Sequence, residues 1–100
     1  MSHLSMTADH RLGKEEAERR LKDKLRVLLD KYGYHASELE QAWVDGTLSF
    51  RFNTRGMHVD GTMQIGDRDV RLSADVPFAV VIFRKRIERR IRSELGELLS

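Results

Sequence analysis

The side chains in this chain that are best suited to chemistry are its histidines, His3, His10, His35 and His58. No two of them lie four residues apart, so the sequence contains neither a helical pair of metal ligands nor an H-E-x-x-H zinc motif. His58 and Asp60 alternate along one predicted strand and can face the same way, which is typical of an exposed strand face. The absence of cysteine excludes disulfides and cysteine-ligated metal sites.

Catalytic motifs are also missing from the sequence. Serine and threonine are scattered, without the G-x-S-x-G pattern that presents a nucleophile on a tight turn. No glycine-rich loop joins a predicted strand to a predicted helix, so no backbone cradle for a phosphate group is expected. We therefore expect a protein that is not an enzyme, with no catalytic residue, no cofactor and no metal site.

Positive charge is concentrated in one short segment, residues 84–92. This segment holds six basic residues and one glutamate, a local charge of +5, whereas the whole chain carries only +2. An apolar run, residues 78–83, comes directly before it and follows Pro77. Sorting charge onto one element in this way predicts a surface contact more than a catalytic pocket.

We predict that one C-terminal helix, opened by Pro77, carries both segments. At about 100° per residue, a single apolar stripe of this helix would face the core. The stripe consists of Val80, Phe83, Ile87, Ile91, Leu95 and Leu98. Phe78 and Ile82 fall outside it and share a side with basic residues. The candidate partner-binding surface, called here the C-terminal surface, is Phe78, Ile82, Lys85, Arg89 and Arg92.

Two interpretations of the C-terminal surface remain open. In one, the first helical turn is buried among loops and the basic residues form an ordinary solvated face. In the other, apolar and cationic side chains together meet a phospholipid or polymer-granule interface, or another protein. Nucleic acid is disfavoured as a partner, because the predicted outer sheet face carries carboxylates and no aromatic residue on which a base could stack.

The elements that must position this helix form a single α+β domain over residues 1–100, in the order β-α-β-β-β-β-α. Alternating apolar residues between positions 4 and 8 predict a short first strand. A single apolar stripe predicts a helix from about Gly13 to Tyr32, and Gly33 is expected to end it as a left-handed cap.

The middle of the chain predicts an antiparallel meander. Asp45-Gly46 is a strong hairpin signal, because a two-residue type I′ turn needs positive φ at both positions. This turn would pair Trp43 with Leu48 and Leu39 with Phe52 on the same face. The result is an antiparallel sheet of about 4–5 strands with both helices on its apolar face, similar to a small helix-grip arrangement.

Length and hydropathy indicate where in the cell the protein is located. A chain of 100 residues can form one modest core, and no apolar run approaches the roughly 20 residues of a membrane span. The sequence also lacks a signal-peptide pattern. We therefore expect a soluble, cytoplasmic protein without a transmembrane segment.

Short segments along nearly the whole chain match the pattern of a known family in order and spacing. They are His10-Arg11-Leu12-Gly13 with Glu16-Ala17, Trp43 before Asp45-Gly46-Thr47-Leu48-Ser49-Phe50, Gly56, Val59-Asp60-Gly61-Thr62, Val70-Arg71-Leu72, and Ile87-Glu88 with Ile91 and Leu95. This ordered set resembles the polyhydroxyalkanoic acid system family, also called the polyhydroxyalkanoate granule-region family. The resemblance implies a setting in bacterial polyester storage and brings no catalytic residue. The arginine-rich final helix and Pro77-Phe78 depart from the family pattern.

The first functional hypothesis follows from this resemblance and the C-terminal surface. It is a non-enzymatic accessory protein of polyhydroxyalkanoate storage that binds a granule surface or a granule-associated protein. Such a protein would be granule-associated within the cytoplasm. A homodimer that uses the spare apolar residues at the start of the final helix is compatible with this hypothesis.

The alternative hypothesis is a binder of a small acyl or lipid-like ligand. Its cavity would lie between the sheet and the C-terminal helix. Trp43, Phe50, Phe52, Met57 and Met63 would line it, since methionine adapts to varied shapes. In a domain of this size, the same side chains are also needed simply to fill the core.

Overall fold

Five strands and two α-helices follow one another in the predicted order. The computed structural model describes residues 2–100, apart from the side chain of Tyr34. The elements are β1 (Ser2–Asp9), α1 (Lys14–Tyr32), β2 (Ala36–Val44), β3 (Thr47–Thr54), β4 (Met57–Ile65), β5 (Asp69–Val76) and α2 (Arg84–Leu98), with short 3₁₀ helices at Gly33–His35 and Phe78–Phe83. The predicted α+β class is confirmed.

The sheet is antiparallel, with the strand order β1-β5-β4-β3-β2. Strands β2 to β5 follow one another as a meander, and β1 pairs with β5 in a register that sets Leu4 opposite Ala74 and Met6 opposite Leu72. Strands β1 and β2 are therefore the two edges. Alternation along each strand turns the apolar side chains to one face, which we call the inner face.

The β2–β3 hairpin has the predicted turn. Asp45 and Gly46 both have positive φ, at 49° and 77°, and Trp43 pairs with Leu48. Towards the other end of the hairpin, a β-bulge interrupts the ladder between Ser37 and Glu40. The predicted pair of Leu39 with Phe52 is therefore not a regular pair of the ladder. An extra residue of this kind bends the strand and increases its twist, which turns this edge of the sheet.

The core lies between the inner face of the sheet and the two helices. Strands contribute Leu4, Met6, Leu48, Met63, Ile65, Val70 and Ala74 to it. Helix α1 adds Ala17 and Leu21, and the end of α2 adds Leu95 and Leu99. Helix α2 packs against β1 and α1 against β4. The two helices are thus concentrated on the β1–β5–β4 part of the sheet.

Three details of the predicted helices are wrong. Gly33 has a right-handed φ of −58° and begins a 3₁₀ helix, so it is not a left-handed cap. The final helix is not continuous from Pro77, because residues 78–83 form a 3₁₀ helix and α2 begins only at Arg84. Phe83 was predicted to face the core but is 50% exposed. It is the last residue of the 3₁₀ helix and the N-cap of α2, with φ −101° and ψ 8°, so α-helical spacing does not govern its direction.

Helix α1 is joined to the end of α2 by one arginine. The Nη1 atom of Arg20 donates to the carbonyl oxygens of Leu98, at 3.1 Å, and Ser100, at 2.9 Å. Glu16 holds Arg20 in place by accepting from its Nε at 2.8 Å. The carbonyl groups at the end of a helix have no intrahelical partners, so this cation satisfies groups that would otherwise need water.

Acid should break this connection only at a pH below the ordinary titration range of a glutamate carboxyl. Hydrogen bonds from Arg19 and Arg20 lower the pKa of the Glu16 carboxyl to about 2 from its ordinary value of 4.5. A folded-state pKa below the unfolded value stabilises the protein above about pH 4.5, and this contribution is lost as the pH falls towards about 2. We expect Glu16→Gln to show a shallower loss of stability between these values, measured by urea unfolding over a pH series. Equal pH dependence in the two proteins would contradict this.

Gly61 and Gly96 offer a matched test of the packing. A Cβ at Gly61 would lie 2.8 Å from the Ala74 Cα and would overlap the Ser73 carbonyl oxygen, whereas a Cβ at Gly96 would meet nothing within 4 Å. We expect Gly61→Ala to lower the free energy of unfolding by about 1–3 kcal/mol through overpacking between β4 and β5. Gly96→Ala lies inside α2 and should raise it by about 0.5–1 kcal/mol. Denaturant unfolding of both variants checks the opposite signs.

Candidate functional site

The segment before α2 exposes three large apolar side chains. Phe78 is 77% exposed, Ile82 81% and Phe83 50%. The opposite side of the segment is anchored, because Val80 and Val81 are half-buried and border a small cavity of about 30 Å³ together with residues of β1 and β5. The segment therefore lies on the domain with its valines and presents its larger residues to solvent.

The backbone explains why this segment does not fold into the core. Pro77 has an extended conformation, φ −60° and ψ 147°, and ends β5. Its carbonyl oxygen accepts from the Val80 amide at 3.0 Å, which begins the 3₁₀ helix. A 3₁₀ helix has three residues per turn, so over six residues it cannot keep one continuous stripe in phase with the α-helix that follows.

The predicted basic residues come together on α2. Lys85, Arg89 and Arg92 are spaced at i, i+4 and i+7 and so share one helix face. With Glu88 they line a shallow surface depression of about 420 Å³. Of the five residues of the C-terminal surface, the structure thus brings these three together, and Ile82 lies one 3₁₀ turn before Lys85.

The cations of α2 divide into paired and unpaired groups. Arg84 donates to Glu88 at 2.9 Å and Arg90 to Glu94 at 3.1 Å, both within the helix. Arg92 makes a longer contact of 3.4 Å with the Thr7 carbonyl oxygen. Lys85, Arg86 and Arg89, in contrast, form no hydrogen bond or ion pair with any residue between 2 and 100.

A second candidate site is an apolar groove of about 400 Å³ between α1 and the strands β2 to β5. It is lined by Leu25, Leu28, Leu29, Tyr32, Gly33, His35, Ala36, Leu39, Gln41, Leu48, Phe50, Phe52, Thr54, Met63 and Leu72. Phe50, Phe52 and Met63 were predicted to line a cavity and do so, whereas Trp43 and Met57 do not. The predicted position was also wrong: α2 covers the β1 side of the sheet, so the space opens beneath α1.

The face of the sheet opposite the inner face, called here the outer face, carries a hydrogen-bonded chain of Asp75, His3 and Ser73 that the sequence did not reveal. His3 Nδ1 lies 3.1 Å from Asp75 Oδ1, and His3 Nε2 lies 3.0 Å from Ser73 Oγ. The order of groups is that of a serine hydrolase triad. However, this hydrogen-bonded chain is exposed, and Ser73 lies inside a strand that is paired on both sides, where the ladders engage the nearby amides. The backbone amides near Ser73 are therefore not available as an oxyanion hole, and this geometry lacks that support for hydrolysis.

His10 and His58 make hydrogen bonds that connect neighbouring parts of the fold. His10 is buried and links the loop before α1 to the β4–β5 turn, because its Nε2 donates to the Gly66 carbonyl oxygen at 3.0 Å and its Nδ1 accepts from the Leu12 amide at 3.2 Å. His58 contacts Asn53 and Asp60 on the outer face. Within residues 2–100, no three histidine or carboxylate side chains converge where they could hold a metal ion.

Comparisons with known proteins point to one family. The family described as "Putative polyhydroxyalkanoic acid system protein" (PHA_gran_rgn) matches residues 4–99. No curated protein matches the chain. The crystal structure of TTHA0849 from Thermus thermophilus is similar with a TM-score of 0.44 and 15% identity, over 98% of this chain and 92% of that one. A similarity at that level supports no further argument. Among the described residues, no helix is both long and apolar enough to cross a bilayer.

The exposure of the C-terminal surface makes a direct prediction about stability. Ile82→Asp and Arg89→Glu should each change the free energy of unfolding by no more than about 0.5 kcal/mol, because neither side chain contributes to the core. Leu95→Asp, one of the core positions of α2, serves as the contrasting control and should abolish cooperative unfolding. Thermal and urea unfolding measure all three variants. A large loss in Ile82→Asp would show that this side chain is covered.

Proposed function

Because the chain belongs to the polyhydroxyalkanoic acid system family, we propose that it is a non-enzymatic accessory protein of polyhydroxyalkanoate storage that binds the surface of the polyester granule. The family description names a storage system and no reaction. The observation that carries the proposal is the exposure of Phe78 and Ile82, at 77% and 81%, on the segment that directly precedes the unpaired cations of α2. The protein would then act in the cytoplasm, on the granule.

The chemistry of the C-terminal surface suits an interface that is apolar inside and anionic outside. Apolar side chains on such a surface enter the apolar layer, while lysine and arginine meet anionic groups. Lys85 and Arg89 can do so without first breaking an ion pair among the described residues. The paired residues Arg84 and Arg90 would contribute less, because their charges are already neutralised by glutamates in the helix.

The expected binding free energies indicate that both the apolar and the cationic side chains of the C-terminal surface are required. Fully burying one phenylalanine or isoleucine is worth about 1.5–3 kcal/mol. Each cation near an anionic surface adds about 1 kcal/mol. A micromolar dissociation constant needs about 8 kcal/mol, so two apolar residues alone or three cations alone fall short of it. Loss of either group should therefore release the protein.

Co-sedimentation with isolated granules and with anionic vesicles tests this proposal. We expect Ile82→Asp and Arg89→Glu each to reduce the bound fraction at least about tenfold, and added salt to weaken binding of the parent protein. Arg55→Glu is the matched control, because it changes the net charge equally at an exposed position in the β3–β4 turn, far along the chain from the C-terminal surface. If both docking variants remain folded and sediment like the parent protein, the proposal is rejected.

The same surface admits a protein partner or a second copy of the chain. Binding to native granules but not to vesicles or to protein-free polyester particles would identify a granule-associated protein as the partner. A homodimer would appear in light scattering as twice the monomer mass of 11.6 kDa. It should then dissociate in Ile82→Asp, and a monomer at high concentration would exclude it.

A further inference from the structure

The groove beneath α1 leaves part of the inner face of the sheet without a covering element. Its volume of about 400 Å³ lies within the usual range of small-molecule sites, and its lining is almost wholly apolar. We propose that this groove binds an amphipathic carboxylic acid, with the acyl chain in the groove and the carboxylate at Lys22 and Arg26. This proposal uses a different surface from the granule contact and does not rest on it.

The walls of the groove fit a flexible acyl chain. Leu28 and Leu39 are 37% and 39% exposed although they face an apolar space, so they would gain from being covered. The rings of Phe50 and Phe52 stack with their centroids 6.5 Å apart, and both line the groove. Met63 at the base can adapt its side chain to the ligand.

One polar side chain lies where a ligand could be oriented. Gln41 occupies an inner-face position of β2, opposite Phe50, where the surrounding residues are apolar. Its side-chain amide has no hydrogen-bond partner within residues 2–100. Because Gln41 is exposed, a ligand oxygen near the head group would replace water as its hydrogen-bond partner. Binding sites for small molecules commonly combine an apolar lining with a few such groups.

The head group is assigned to a depression that adjoins the groove. This depression, of about 240 Å³, shares Leu25, Leu29 and Gln41 with the groove, so the two adjoin at these side chains. It adds Lys22, Arg26, Asp30 and Trp43 to the lining. The lining itself presents two cations and one carboxylate to a bound anion, whereas Glu18 and Asp23, the ion-pair partners of the cations, lie outside it.

Both cations are only weakly paired and can exchange their partners. Lys22 lies 4.0 Å from Glu18, and Arg26 lies 3.8 Å from Asp23. Exposed pairs at such distances contribute little, so a ligand carboxylate can replace them at small cost. The Lys22 ammonium also lies 4.9 Å from the centre of the Trp43 ring. Movement of Lys22 towards a ligand would therefore change the fluorescence of the single tryptophan.

Titration of a carboxylate series from hexanoate to dodecanoate, below micelle-forming concentrations, tests the proposal. Calorimetry gives the affinity, and Trp43 fluorescence reports on the head-group end. We expect affinity to rise about fourfold per added methylene and then level off when the groove is full. A second arm compares decanoate with 3-hydroxydecanoate, which separates a plain fatty acid from a hydroxy acid. If Gln41 takes the hydroxyl, the hydroxy acid binds more tightly and Gln41→Leu removes the difference.

Neighbouring residues of α1 provide the matched variants. Leu28 lines the groove and Val27 does not, although they are 37% and 39% exposed. Leu28→Asp should weaken decanoate binding at least about tenfold, whereas Val27→Asp should leave it unchanged. The double variant Lys22→Gln with Arg26→Gln should weaken decanoate but not decanol. Absence of chain-length dependence, or equal loss in the two aspartate variants, would overturn the proposal.

Discussion

The pairing of β1 with β5 is the constraint on which the rest of the structure depends. This pairing places the strands that lead into both helices side by side at one edge of the sheet. Both helices therefore start from the same edge, and α2 packs against β1 while α1 reaches β4. The far edge, formed by β2 and β3, receives only the end of α1. Incomplete cover of an apolar sheet face is the direct result.

Two exposed apolar regions follow from this arrangement, and they differ in their charge. The 3₁₀ segment exposes Phe78 and Ile82 directly before α2, where Lys85 and Arg89 line only a shallow depression, which suits an extended interface. The groove beneath α1 is concave and has its cations only at one end, which suits a single amphipathic molecule. Shape and charge therefore separate a surface contact from a ligand site within one small domain.

Local sequence signals predicted those features whose cause is local. Strand alternation, the stripe of α1 and the Asp45-Gly46 turn depend on residues close in sequence, and the structure has all three. The left-handed cap at Gly33 was wrong because glycine permits that conformation without requiring it, and the chain continues into a 3₁₀ helix. The uniform helical spacing assumed after Pro77 failed because the segment's conformation changes at Phe83, which caps α2.

The sequence alone determined the α+β class, the family and the concentration of positive charge near the C-terminus, since these depend on residue order and short-range periodicity. Only the tertiary structure decided which cations lack partners, that Ile82 is exposed, and that a groove opens beneath α1 and not beneath α2. These properties depend on pairings between residues distant in sequence. The contact of His3 with Asp75, across 72 positions, shows why: each partner has an ordinary local setting, and only the sheet register joins them.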